Sequence, residues 1–157
     1  MIDYEFNGLP LHPLLVHLVV VIVPVAALCT VLVALWPAAR RRLGIVTPLI
    51  ALIALITVPI TVNAGQWLQA HVPQTDAIAS HALLGPTLLP WTIAVFVVAG
   101  IQWAWYRWGG SVNGGLRLAI TLILAAAVVV TAVGSVVTVV RIGESGTTAV
   151  WKGRINP

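Results

Sequence analysis

The chain has 157 residues, of which 60% are hydrophobic and 8% are charged, and its mean hydropathy is +1.04. Soluble domains are about 45–50% apolar and about 25% charged, so this composition excludes a soluble globular protein and predicts an integral membrane protein. The net charge of +4 resides in turns that flank apolar runs, with no recognisable binding module, so we expect no nucleic-acid partner. The expected surroundings are the lipid bilayer.

Four apolar runs are each long enough to cross about 30 Å of hydrocarbon as a helix. They cover approximately residues 14–36, 43–64, 78–105 and 118–142. No part of the sequence alternates between apolar and polar residues as the strands of a membrane barrel do. The predicted fold is therefore all-α, an integral membrane four-helix bundle formed by a single transmembrane domain over residues 1–157.

The first predicted helix begins with two histidines. Pro13 suits the first helical position, where its missing N–H costs nothing, and His12 is then expected at the cap. His17 lies about one turn inside, and on a continuous helix it points about 140° away from His12, so the two are not expected to bind one ion together. The residues before the helix include Asp3 and Glu5, and the apolar run exceeds a signal-peptide core, so we expect a retained span.

The short loops predict an orientation. The first loop contains Arg40, Arg41 and Arg42, the third is bounded by Arg107 and Arg117, and neither contains an acidic residue. Such loops are typically cytoplasmic, which predicts a multi-pass protein of the plasma (inner) membrane with both termini outside the cytoplasm. All four histidines then fall on the outer side, namely His12, His17, His71 and His81.

The third and fourth spans carry further polar residues. Thr75 and Asp76 are both competent helix caps, so His81 is expected just over one turn inside the third span, at a depth similar to that of His17. The fourth span has a ridge of small residues that allows close approach of another helix. The ridge consists of Ala127, Thr131, Ser135 and Thr138.

Several motifs carry a family resemblance. The stretches "FNGLPLHPLLVHLVVVIVP", "NAGQWLQ", "SHALLG" and "VVRIGESGTTAVWKGR" together resemble the bacterial membrane family called domain of unknown function 2231, over essentially the whole chain. The resemblance implies four spans, a histidine in span one, another at the head of span three, a glycine-rich segment after span four, and no particular reaction. The matching positions are His12, His17, His81, Gly143, Gly146 and Trp151. Where the family pattern often has a histidine this chain has Glu144, and Gln66 stands where an acid is expected.

The first hypothesis is a metal site on the outer face, with His17, His81 and Glu144 as ligands. Two imidazoles and a carboxylate suit Zn²⁺ with an open position or a ferrous ion, and a third histidine would favour copper. Supporting hydrogen bonds to these ligands are expected from nearby polar side chains. The candidates for that role are His12, Thr61, Gln66 and Arg141.

Two other hypotheses stay open. The second is haem b with His17 and His81 as axial ligands, Arg141 and Lys152 pairing with the propionates, and electron transfer as the function. The third is a non-catalytic accessory or assembly subunit of a larger membrane complex, or a homo-oligomer, in which the histidines only form hydrogen bonds between helices. The sequence favours a metal ion over haem within the binding hypotheses, and it does not decide whether the protein is an enzyme.

Overall fold

A computed structural model describes residues 4–152, and almost all of them are helical. Four elements are long and apolar enough to cross a membrane: α1, α3, the combination of α4 and α5, and α6. The prediction of an all-α protein with four membrane-type spans is confirmed. The helices are α1 (Leu11–Leu35), α2 (Pro37–Leu43), α3 (Val46–Ala70), α4 (Asp76–Leu84), α5 (Leu89–Trp108) and α6 (Gly114–Trp151).

The four spans pack in a ring in which consecutive spans run in opposite directions. Both α1 and α5 pack against α3 and α6, so α1 lies opposite α5, and α4 packs mainly against α6. We call the end that carries His12, His17 and His81 the histidine end. The other end, which carries Arg40–Arg42 and Arg107, is the arginine end.

A short hairpin that was not predicted precedes α1. Its two-residue strands, Glu5–Phe6 and Leu9–Pro10, pair in antiparallel fashion. Asn7 and Gly8 connect them with φ values of 51° and 74°. An Asn-Gly pair tolerates this left-handed backbone and forms the tight turn that matches the twist of two strands. Strands of two residues are too short to show the alternation of apolar and polar residues by which strands are predicted from a sequence.

The hairpin changes where α1 begins. The helix starts at Leu11, with Pro10 at the N-cap, rather than at Pro13. His12 is therefore inside the first turn of the helix and not at its cap. Its side chain points toward α3, where it contacts the Thr61 carbonyl.

The third span is broken in two. Of the two caps expected from the sequence, Thr75 is the one that caps α4, because its side-chain oxygen accepts a hydrogen bond from the Ile78 N–H at 3.2 Å. A 3-10 turn at Gly85–Leu88 then separates α4 from α5. Pro86 and Pro90 have no N–H to donate, so regular α-helical hydrogen bonding cannot continue through this segment. The break leaves α4 as a separate element at the histidine end.

The fourth span continues past its expected end. The glycine-rich segment that the family resemblance places after this span is helical, and α6 extends through Gly143 and Gly146 to Trp151. No proline interrupts this stretch. Because residues one apart on a helix point about 100° apart, Glu144 and Ser145 face different directions.

Small residues bring the helices close together in the arginine half of the core. Ala26, Ala51 and Ala99 form a buried cluster with Val95. Farther toward the arginine end, the Gln102 side chain is 1% exposed and donates from Nε2 to the Thr30 carbonyl at 3.2 Å. A buried hydrogen bond between α5 and α1 therefore supplements the packing of small residues.

One glycine is in very close contact with an aromatic ring. Trp91 on α5 packs against Gly134 on α6, and a Cβ atom added to Gly134 would overlap the indole ring. Only a glycine leaves the space that the ring occupies. This contact fixes the approach of the first turn of α5 to the middle of α6.

Candidate functional site

A large cavity opens at the histidine end, between α1, α3, α4 and α6. Its volume is about 1160 Å³, and pockets that hold small organic ligands are usually about 300–1,000 Å³. Three of the four histidines line it, namely His12, His17 and His81. The walls are mostly apolar and include Val19, Val20, Val58, Leu88, Val139 and Ile142.

His12 is held by the backbone of α3. Its Nδ1 atom lies 3.0 Å from the carbonyl oxygen of Thr61. A carbonyl oxygen only accepts, so Nδ1 carries the proton and donates it. In the neutral ring Nε2 then has a free lone pair, which is the form that binds metals. The half-buried His12 ring is thus fixed in a ligand-competent tautomer.

Gly65 makes room for the His12 ring. It lies one helical turn after Thr61, and a Cβ atom placed there would be 2.8 Å from Cε1 and 2.9 Å from Nδ1 of His12. Atoms of two side chains do not approach so closely, so any other residue would displace the ring. The hydrogen bond to α3 therefore depends on glycine at this position.

His81 is held in a similar way by α6. Its Nδ1 atom lies 2.9 Å from Oγ of Ser145, and Ser145 Oγ lies 2.8 Å from the Ile142 carbonyl oxygen. The hydroxyl has a single proton and donates it to the carbonyl, so it accepts from Nδ1–H of His81. Nε2 of His81 again has the free lone pair. Gly146 faces this ring, at 3.1 Å from Cε1 for an added Cβ atom.

The two imidazoles are neighbours. The ring centroids of His12 and His81 are 6.1 Å apart and the ring planes meet at 71°. A metal lies about 2.0 Å from each imidazole nitrogen that binds it, so two rings at this separation are close enough to share one metal. The side-chain hydrogen bonds that anchor the two rings are both made by Nδ1. From the sequence, His12 was expected to have only a supporting role.

The other two histidines differ from this pair. His17 lines the cavity but is exposed, and its Nδ1 atom lies 2.6 Å from the Pro13 carbonyl oxygen of its own helix. His71 lies outside the cavity lining and stacks on Trp67, with the ring centroids 4.2 Å apart. The cavity therefore has one histidine pair and one additional histidine near its surface.

Glu144 and Arg141 do not belong to the cavity. Both are exposed, and neither lines it. Arg141 instead borders a separate pocket of about 200 Å³ next to Trp91. In the part of the chain that the structure describes, no group of three His, Cys, Asp or Glu side chains is arranged to hold a metal ion. The structure thus does not bring His17, His81 and Glu144 together, because Glu144 points to another face of α6.

Thr61 and Gln66 do line the cavity, as do Asp76 and Lys152. Thr61 acts through its backbone carbonyl, because its hydroxyl donates to the Thr57 carbonyl at 2.8 Å. Ser145, which orients His81, is not among the residues predicted from the sequence. A prediction in which the fourth helix continues through Gly143 and Gly146 would have placed Ser145 on that helix, opposite α4.

Comparisons with known proteins give a family and no activity. The family model described as predicted membrane protein (DUF2231) matches residues 8–156. No curated protein and no solved structure matches the chain. The residues of the cavity are therefore the basis for any functional conclusion.

Proposed function

The chain belongs to the DUF2231 family of predicted membrane proteins, and since that description names no activity, we propose from the cavity itself that the protein binds a transition-metal centre through Nε2 of His12 and His81. The arrangement that carries the proposal is the pair of rings 6.1 Å apart, each anchored through Nδ1–H. Histidines that ligate metals almost always donate their other ring N–H to an oxygen atom, and both rings do so here.

Haem b is the form of this centre that the cavity supports better. A bare ion needs three or four protein ligands, whereas a haem supplies four nitrogens itself and requires only one or two axial side chains. The number of available ligands therefore favours haem. The cavity volume of about 1160 Å³ and its apolar walls also suit a macrocycle. This order of preference reverses the one drawn from the sequence, and His12 replaces His17 as the partner of His81.

Each residue of the proposed site has a distinct task. His12 and His81 bind the metal, while the Thr61 carbonyl and the Ser145 hydroxyl fix their orientation. Lys152 lines the cavity and would pair with a carboxylate of the ligand, whereas Arg141 borders the other pocket. If both His12 and His81 held a haem iron, no position would remain for a substrate, and the chemistry that the group would supply is electron transfer. A protein with one such centre requires a redox partner in or next to the membrane.

The first test identifies the centre. Wild type, His81→Ala and His71→Ala are each purified in detergent. For each protein, visible spectra of the oxidised and dithionite-reduced forms and an elemental analysis are recorded on the same sample. We expect a sharp reduced α-band in wild type and His71→Ala that disappears in His81→Ala. If wild type is colourless but contains stoichiometric metal, and His81→Ala lacks that metal, the centre is a bare ion and not haem. A wild type with neither, even after incubation with haemin or with Zn²⁺, would overturn the proposal.

Ser145 offers a prediction about ligand orientation. In Ser145→Ala the His81 N–H loses its acceptor, so metal or haem affinity is expected to fall about 10- to 100-fold, as for other hydrogen-bond partners of ligating histidines. The matched control is Ser80→Ala, because Ser80 is next to His81 but its hydroxyl bonds to the Asp76 carbonyl. Equilibrium titration of both variants measures the difference. Equal affinities would show that Ser145 does not orient the ligand.

A further inference from the structure

The arginine end carries several positive charges that are not balanced by acidic residues. Arg40–Arg42 belong to α2, and Arg107 is the penultimate residue of α5. The sequence has no acidic residue between positions 6 and 75 or between positions 77 and 143. No acidic side chain of the two loops at this end, or of the adjoining helix ends, is therefore available to pair with these arginines.

Arg40 brings the basic segments of α2 and α5 together. Its Nε and Nη2 atoms donate to the carbonyls of Val33 and Ala34 at 3.2 and 3.0 Å, which are free acceptors near the end of α1. Its guanidinium carbon lies 3.5 Å from the ring centroid of Tyr106. Because Tyr106 precedes Arg107, this contact places the arginine segment of α2 beside the end of α5.

The remaining arginines of this group are available to a ligand. Arg41, Arg42 and Arg107 are exposed, and their side chains form no hydrogen bond or ion pair within the described part of the chain. Two exposed tryptophans, Trp36 and Trp108, lie at the same end. Tryptophan is enriched at the headgroup level of a bilayer, and guanidinium groups bind phosphate oxygens in a planar, two-pronged geometry.

We propose that Arg41, Arg42 and Arg107 form a binding site for the headgroup of an anionic phospholipid. Arg40 is a positioning residue, because its own donors are used within the protein. An anionic lipid is favoured over a zwitterionic one because the latter brings a cationic group next to three uncompensated arginines. The site lies at the opposite end of the bundle from the cavity, so it is independent of the proposed metal centre.

Lipid affinity of the purified full-length protein tests this site. Native mass spectrometry in a neutral detergent measures binding of phosphatidylglycerol and of phosphatidylcholine with identical acyl chains. Because each arginine near a membrane surface contributes about fivefold in affinity for anionic lipid, we expect phosphatidylglycerol to bind wild type at least about tenfold more tightly. In Arg41→Gln/Arg42→Gln most of this preference is expected to be lost, because only Arg107 of the three arginines remains, and in Arg41→Lys/Arg42→Lys a larger part of it is expected to remain.

The matched control removes two positive charges elsewhere in the sequence. Arg141→Gln/Arg154→Gln has the same net charge as the test variant and is expected to keep the wild-type lipid preference. Equal binding of the two lipids to wild type would overturn the proposal. An equal loss in the control variant would do so as well, because it would attribute the preference to net charge and not to this site.

Discussion

Replacement of Gly134 by alanine is expected to lower the melting temperature of the detergent-purified protein by several degrees. The added methyl group would overlap the indole of Trp91, so the ring or the helix α5 must move. Overpacking of this kind costs about 1–3 kcal/mol, and the intrinsic gain of alanine over glycine in a helix is about 1 kcal/mol. The steric cost is therefore the larger effect for a contact this close.

Gly143 is the matched control for this prediction. It belongs to the same helix, and a Cβ atom added there would meet nothing within 4 Å. Gly143→Ala is expected to melt at or above the wild-type temperature because only the helix propensity changes. The double variant Trp91→Leu/Gly134→Ala is expected to lose less stability than the sum of its single changes. Strict additivity of the two changes would contradict the account of this contact.

Gly65→Ala is expected to abolish binding of the metal centre without changing any histidine. The methyl group would lie 2.8 Å from the His12 ring and displace it from the Thr61 carbonyl. His12 then loses both its fixed tautomer and its position next to His81. The reduced spectrum and the metal content of the purified variant measure the effect, with circular dichroism to follow the fold.

Gly100→Ala is the control for Gly65→Ala, because no atom lies within 4 Å of its added Cβ. It is expected to bind the centre like wild type. The fold should survive in both variants, since the His12 side chain can rotate into the cavity. If Gly65→Ala binds as much haem or metal as wild type, the hydrogen bond of His12 to α3 is not required for binding.

The number of spans was predictable because it follows from the length of the apolar runs. Each of the four runs in the sequence corresponds to a span of the structure. The cap at Thr75 was also predictable, because a hydroxyl three residues before an unpaired N–H is a local feature. The course of α6 beyond residue 142 was not, because Gly143 and Gly146 have low helix propensity and tertiary packing of α4 against α6 overrides it.

The location of the site was easier to predict than its composition. Counting histidines along the spans indicated one end of the bundle, and three of them line one cavity there. The pairing of His12 with His81 depends on features that are distant in sequence. One is the hairpin that moves the start of α1, and the others are the glycines on α3 and α6 that leave space for the rings. A sequence pattern contains none of these contacts.

The most direct test of the central claim compares His12→Ala with His17→Ala. Both residues belong to α1 and both line the cavity, but only His12 is next to His81. Haem and metal content per protein, measured on parallel preparations, is the readout. The account predicts that His12→Ala is purified without the centre and that His17→Ala retains it. Full loading of His12→Ala would contradict the account, and loss in His17→Ala alone would identify His17 as the ligand.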